Sequence, residues 1–207
     1  NCKELSHKKI ALYLGKGTAE FCWKPLIEVL DLAGFPYSPL YDSDIREGRL
    51  EHFDILIVPG GPDAGESYYF GMGKLGYDNL KDFIINRGNY FGICAGAYLP
   101  LTSLYSENRY WLNLIEATDD HDLDYWRTGT GFVRISITNP LHPFAFGLTS
   151  GGVNTLDCVY WEGPAIKVLK DNVKILAKFN EFIASGTTHD RPTWDLLDNY
   201  PAIDSIN

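Results

Sequence analysis

The chain has 207 residues and a formal net charge of −9, with 45% of its residues hydrophobic and 22% charged. That length carries one sizeable core, so residues 1–207 read as a single soluble globular domain with no forced second one. The acidity argues against nucleic-acid binding, which needs a basic footprint, and the longest apolar run has a strand's length, too short for a membrane span.

Residues 9–14 read as a first strand, followed by G-K-G-T at 15–18. A P-loop would need a further glycine where Ile10 stands, so Gly15 and Gly17 are expected to shape a crevice wall. Residues 19–33 read as a helix closed by Gly34, with Phe21, Leu26, Val29, Leu30 and Leu32 loosely at helical spacing. Residues 37–40 form a short strand, 42–50 a brief polar helix or turn, and 55–58 a strand broken by P-G-G-P-D at 59–63. Residues 71–76 fit G-x-G-x-x-G, but a loop and the aromatic run 68–70 precede them, whereas a dinucleotide fingerprint follows the first strand of a βαβ unit. A helix over 76–86, a strand over 90–93 and a helix over 95–104 complete the first half. The alternation predicts a three-layer, flavodoxin-like α/β fold, a mostly parallel sheet with helices on both faces. Strands at 131–138, 154–161 and 173–179, with few helices between them, predict a β-rich C-terminal elaboration.

The chemistry concentrates at G-I-C-A-G, residues 92–96, where an apolar strand meets a helix-compatible segment through a cysteine flanked by glycines. This is the sulfur version of the nucleophile elbow, and it places Cys94 at the carboxyl end of a central parallel strand. A helix N-terminus there favours thiolate, although a buried structural cysteine is the bland alternative. Gly60 and Gly61 follow a neighbouring strand, so their N–H groups and that of Ala95 can meet a developing oxyanion; the plain alternative is a turn. Carboxyl-end loops converge in such sheets, so the pocket is expected from Gly15, Gly17, Glu20, Asp63, Gly96, Tyr98, Tyr160 and Glu162. Its carboxylates favour a neutral or cationic small molecule, such as an amide, over phosphates, and no cofactor is implied.

A cysteine nucleophile needs a base. His7, His52, His121 and His142 read as solvated, turn or surface-loop residues, and His189, downstream in T-T-H-D-R-P, is the candidate by position. The cysteines at 2, 22, 94 and 158 match neither a zinc pattern nor a disulfide-dense scaffold, so no metal is expected. Bridges from Cys22 to Cys2 or Cys158 stay open. So does the compartment, cytoplasmic or exported after signal removal, because the sequence starts at Asn1.

With these motifs in place, the chain resembles the class I glutamine amidotransferase-like superfamily. It is most similar to the amidotransferase-like domain at the N-terminus of biotin-protein ligases and to free-standing members of that group. The resemblance rests on Y-L-G-K-G-T at 13–18, V-P-G-G-P-D at 58–63, G-I-C-A-G-A-Y at 92–98 and Y-W-E-G-P at 160–164. It is strongest over residues 10–100 and looser to about 180. It implies amide or acyl chemistry through Cys94, with glutamine as the superfamily's substrate. Its base is usually the histidine of a late H-P-E motif, absent here, and residues 200–207 are similar to the hairpin that precedes it. The resemblance therefore leaves three versions open: His189, a histidine beyond Asn207, or a binding or regulatory module without the base. Ala95 excludes the branch with histidine directly after cysteine. The resemblance implies that Glu20 could hydrogen-bond the sulfur as the acid of the intracellular-protease branch does, its plainer reading being a first-turn helix carboxylate, and that Glu162 stands in a turn at the pocket.

Overall fold

A computed structural model describes residues 7–86, 88–104, 108–119, 130–145, 147–148, 152–161 and 163–182. The chain divides into two compact units, Asn1–Asp120 with Ile166–Lys170, and His121–Ala165 with Asp171–Asn207.

The first unit is built on a four-stranded parallel sheet in the order β2-β1-β3-β4, from β1 (Ile10–Tyr13), β2 (Tyr37–Leu40), β3 (Ile55–Val58) and β4 (Asn89–Gly92). Strand periodicity divides its side chains between two faces. Ile10, Leu12 and Ile57 pack with Leu26, Ile27 and Leu30 of α1 (Glu20–Leu32). Ala11, Tyr13, Leu56 and Val58 turn the other way, onto α2 (Asp42–Arg46), α3 (Glu66–Ile85) and α4 (Ala95–Tyr98) through Ile45, Tyr68, Met72, Leu80 and Ala95. The expected three-layer α/β fold is therefore present, with helices on both faces.

The amino edge of this sheet is stitched at Asp54. Its carboxylate accepts from the Lys9 amide at 2.8 Å and from Lys8 Nζ at 3.1 Å, while its own amide donates to the Lys9 carbonyl. The Lys9 amide first, then Lys8, hold this carboxyl below the usual carboxylate range. Stability drawn from it is complete above that range and lost as pH falls through the depressed folded-state value. Asp54→Asn should thus lower the thermal midpoint at neutral pH, and the gap to wild type should close in acid. A gap that does not change with pH would refute this role.

Several sequence expectations are corrected. The third helix starts ten residues earlier than expected, because Tyr68, Met72, Gly76 and Leu80 recur every four residues and bury one stripe. The glycines at 71, 73 and 76 hid that stripe, and only Gly73 breaks the helix, with φ 65. The helix after Cys94 stops at Tyr98 rather than running to 104, since Pro100 supplies no amide to continue it. Among the described residues β4, like β2, is an outer strand of the four rather than a central one. In α1 the stripe packed on the sheet is Leu26, Ile27 and Leu30, with Leu30 buried and the other two partly so, whereas Phe21, Val29 and Leu32 are exposed.

Beyond Cys94 the pairing turns antiparallel. Within the first unit, β5 (Ala117–Asp119) pairs with β8 (Ile166–Val168), two short strands that the sequence did not signal. In the second unit, β6 (Thr130–Ile137) lies between β7 (Thr155–Trp161) and β9 (Ala177–Phe182). The expected β-rich C-terminal elaboration is this sheet, with β9 starting four residues later than expected. Arg134 clamps Asp157 across the β6–β7 pair with bonds of 2.6 and 2.9 Å. No helix among the described residues is long and apolar enough to cross a membrane.

Candidate active site

In the order β2-β1-β3-β4 the connections leave β1 in one direction and return in the other, so the carboxyl-end loops after β1 and β3 part at a switch point. The loop after β1 is fixed by Thr18, whose amide and hydroxyl both donate to the Gly15 carbonyl, and by Gly17 at φ 100. Tyr13 Oη and the Lys16 amide both donate to the Asp42 carboxylate, which draws this loop onto α2. The loop after β3 is tied to it directly, as the Ala19 amide donates to the Gly60 carbonyl at 2.9 Å. A Cβ on Gly61 would collide with the Gly17 carbonyl oxygen, so the two glycine loops stack backbone on backbone.

Cys94 sits between β4 and α4 with φ 52 and ψ −117, a conformation that few side chains accept. Such backbone costs about 1–3 kcal/mol and persists only where its surroundings impose it. Here the surroundings are explicit. The Ile93 amide donates to the Val58 carbonyl at 3.0 Å, and the Ala97 amide to the Cys94 carbonyl at 2.9 Å. Tyr90, whose hydroxyl burial pushes far above its ordinary pKa, donates that proton to the Gly96 carbonyl at 2.5 Å. Gly96 packs on the Val58 carbonyl and Gly92 on the Gly96 carbonyl, each too closely for a Cβ.

The glycine loop and the cysteine meet. A Cβ on Gly60 would lie 3.3 Å from Cys94 Sγ and 3.0 Å from Cys22 Sγ. Gly15, Gly17, Gly60, Gly61, Cys94, Ala95 and Gly96 therefore gather at one end of the sheet. Tyr98 follows on α4, its ring 6.0 Å from that of Trp111.

Glu20, Asp63 and Tyr160 each have a partner of their own. Glu20 is exposed and pairs with Lys24 at 2.7 Å, a helix-surface contact. The Asp63 carboxylate accepts from the amides of Gly65 and Ser67 and from the Ser67 hydroxyl, so it caps the start of α3. Tyr160 is buried in the second unit, where its hydroxyl donates to the Gly163 carbonyl and its ring stands edge-on to Phe179. His189, Glu162 and His121 fall outside the described residues. His7 and His52 precede β1 and β3, and hence occupy the amino edge, opposite the Cys94 edge. His142 belongs to the second unit, its ring stacked on Phe144.

Two neighbours of Cys94 went unread as site residues. Cys22, in the first turn of α1, has its thiol pushed up by burial and then by the Cys94 sulfur. Tyr68 has its hydroxyl pushed up by burial and then by Cys94 and Cys22, and it donates to the Pro59 carbonyl at 2.6 Å. The four-residue stripe in α3 was the available signal for Tyr68; none in the local sequence pointed to Cys22. Cys22, Cys94 and Cys158 are thiols rather than disulfides. No group of three His, Cys, Asp or Glu among the described residues is placed to hold a metal ion. An open cavity of about 540 Å³ lies over α3, lined by Tyr69, Lys74, Lys81, Arg109 and Trp111 among others, and Cys94 does not contribute to it.

Comparison with known proteins bears on this geometry. A family model described as biotin-protein ligase, N terminal, matches residues 9–127. The chain is 28% identical over 131 residues to a pyridoxal 5'-phosphate synthase subunit PdxT from Francisella philomiragia, covering 63% of this chain and 62% of that one. It is 26% identical over 108 residues to an uncharacterized protein from Chlamydia muridarum, covering 45% of this chain and 38% of that one. The chain thus spans less than two thirds of the length of these curated relatives. Among solved structures, a glutamine amidotransferase from Thermotoga maritima superposes with a TM-score of 0.56 at 11% identity, covering 85% of this chain and 69% of that one. A GMP synthase-like protein from Thermoplasma acidophilum gives 0.55 at 16% identity, covering 91% and 82%. At these identities the structural likeness is one of fold.

Proposed function

Because the chain belongs to the biotin-protein ligase N-terminal family, with its glutamine amidotransferase-like fold, we propose that it is a cysteine-dependent amide hydrolase or transferase acting through Cys94. The observation that carries this reading is the conformation of Cys94. Backbone at φ 52, held by five separate contacts on a strand-to-helix turn, lifts a side chain out of the chain where a plain core cysteine needs nothing of the kind. In the proposed reaction Sγ attacks the carbonyl carbon of a primary amide such as glutamine. The C–N bond breaks, ammonia leaves, and a thioester remains for water or an acceptor amine. The amides of Gly61 and Ala95 are assigned to the oxyanion, Gly60 to keeping the sulfur's flank clear, and His189 to the proton transfer. The four-residue helix after Cys94 gives only a weak dipole, so activation rests mainly on the base.

One observation favours a second reading. Among the described residues of the first unit, both histidines lie at the amino edge of the sheet, away from Cys94. A binding or regulatory module that keeps the crevice without the base fits that placement. Ammonia release from glutamine and a panel of small primary amides separates the two. Turnover that disappears in His189→Ala and Cys94→Ser supports the hydrolase; binding without turnover on every amide supports the module.

A further inference from the structure

Two thiols share the flank of Gly60. A Cβ built on that residue would sit 3.0 Å from Cys22 Sγ and 3.3 Å from Cys94 Sγ, so the sulfurs are no farther apart than the sum of these distances. Gly60 places no side chain between them. Their carriers are fixed relative to each other, since the Ala19 amide bonds the Gly60 carbonyl, the Cys22 amide bonds the Ala19 carbonyl, and the Ile93 amide bonds the Val58 carbonyl. Both thiols are half-buried.

We infer that Cys22 and Cys94 form a reversible disulfide beside Gly60, with Cys94 oxidised first by a hydroperoxide and Cys22 resolving the product. The inference rests on the position of the two sulfurs and not on amide turnover. In the first step the Cys94 sulfur attacks the terminal oxygen of the hydroperoxide. An S–O bond forms, the O–O bond breaks, two electrons pass from sulfur to oxygen, and the alcohol (or water, from hydrogen peroxide) leaves. In the second step the Cys22 sulfur attacks the Cys94 sulfur; the S–S bond forms, the S–O bond breaks, and water departs with the Cys22 proton. The sum is one hydroperoxide and two thiols giving one disulfide, one alcohol and one water. An external thiol reverses it by exchange.

Two physical points order the roles. Burial and the neighbouring sulfur raise the pKa of the Cys22 thiol, which makes it the slower first target and leaves the first oxidation to Cys94. Holding the sulfurs side by side turns the second step into an intramolecular one, which outruns further oxidation of Cys94. While the bond is closed Cys94 has no nucleophile to offer, so hydroperoxide would switch the site off and thiols would restore it.

The test treats the full chain with one equivalent of hydrogen peroxide, blocks remaining thiols with N-ethylmaleimide and maps peptides without reduction. The expected product is a Cys22–Cys94 cross-linked peptide, with two alkylatable thiols lost per peroxide consumed and both recovered with dithiothreitol. Cys158→Ser leaves the cross-link in place, and Cys22→Ser accumulates a dimedone-reactive sulfenic acid at Cys94. The same map on guanidinium-unfolded wild type keeps the inference testable should the Cys22 variant not fold, because the preference for this pair must vanish there. The inference is overturned if peroxide drives Cys94 to sulfinic acid while Cys22 stays alkylatable. Cross-links from Cys22 to Cys2 or Cys158 instead, or an equal yield of the pair from native and unfolded chain, overturn it as well. Ammonia release plays no part in these readings, so failure here leaves the proposed amide chemistry untouched.

Discussion

Cys94→Ser is expected to lower amide turnover by about three orders of magnitude or more while leaving the thermal midpoint nearly unchanged. Oxygen replaces sulfur with little change of shape, so the turn and its hydrogen bonds survive. The hydroxyl, however, is far harder to ionise, and only a strong adjacent base could compensate. Cys94→Gly sharpens the contrast. Glycine accepts φ 52 without penalty, so relief of about 1–3 kcal/mol of backbone strain works against the loss of a half-buried thiol. That variant should keep or raise the midpoint and abolish turnover. A residue whose removal stabilises the fold and destroys the activity is held in place for function. Ammonia release and thermal denaturation of the three proteins decide the matter, and turnover within about tenfold of wild type in either variant would discard Cys94 as the nucleophile.

Gly61→Ala is expected to cost about 1–3 kcal/mol of stability, several degrees in thermal midpoint for a chain of this size, and to remove turnover with it. Its new methyl would run into the Gly17 carbonyl oxygen and stand 3.2 Å from Tyr68 Oη. Neither neighbour can retreat cheaply. The 15–18 loop is closed by the Thr18–Gly15 bonds and tied to Gly60 through Ala19, and the Tyr68 hydroxyl is bonded to the Pro59 carbonyl. Movement of either loop displaces the Gly61 amide from the place assigned to an oxyanion donor. Gly34→Ala is the matched control, because Gly34 has φ 70 with nothing within 4 Å of its would-be Cβ, leaving only backbone strain of about 1 kcal/mol. Denaturant midpoints ranking Gly61→Ala as the milder change would show that the two loops do not stack as described.

The elements legible in the sequence were those whose signal is local. Ile10–Tyr13, Ile55–Val58 and Asn89–Gly92 are short apolar runs stopped by glycine or proline, and each is a strand within a residue or two of expectation. G-I-C-A-G was readable as a tight strand-to-helix turn because two glycines at fixed offsets from a cysteine are a backbone requirement written in residue type. Helix α3 was half-read, as its glycines obscured a buried stripe that only a packed partner reveals. Glu20 and Asp63 were placed correctly along the chain, yet their bonds go to Lys24 and to the start of α3. A carboxylate's loop position says where it stands, not which partner it faces.

What the sequence determined by itself was the alternation of strand and helix, hence the parallel sheet and its glycine-bearing carboxyl ends, because strand period, turn residues and crossover handedness act over a few residues at a time. What only the tertiary structure decided was who meets whom at that edge. Cys22 and Cys94 are 72 positions apart and share Gly60 as a neighbour. That meeting follows from the order β2-β1-β3-β4, which seats β3 beside β1 and β4 beside β3, and so brings the first turn of α1 to the loop beside Cys94. Pairing order is settled by burial summed over the whole sheet, and no short window of sequence carries that sum.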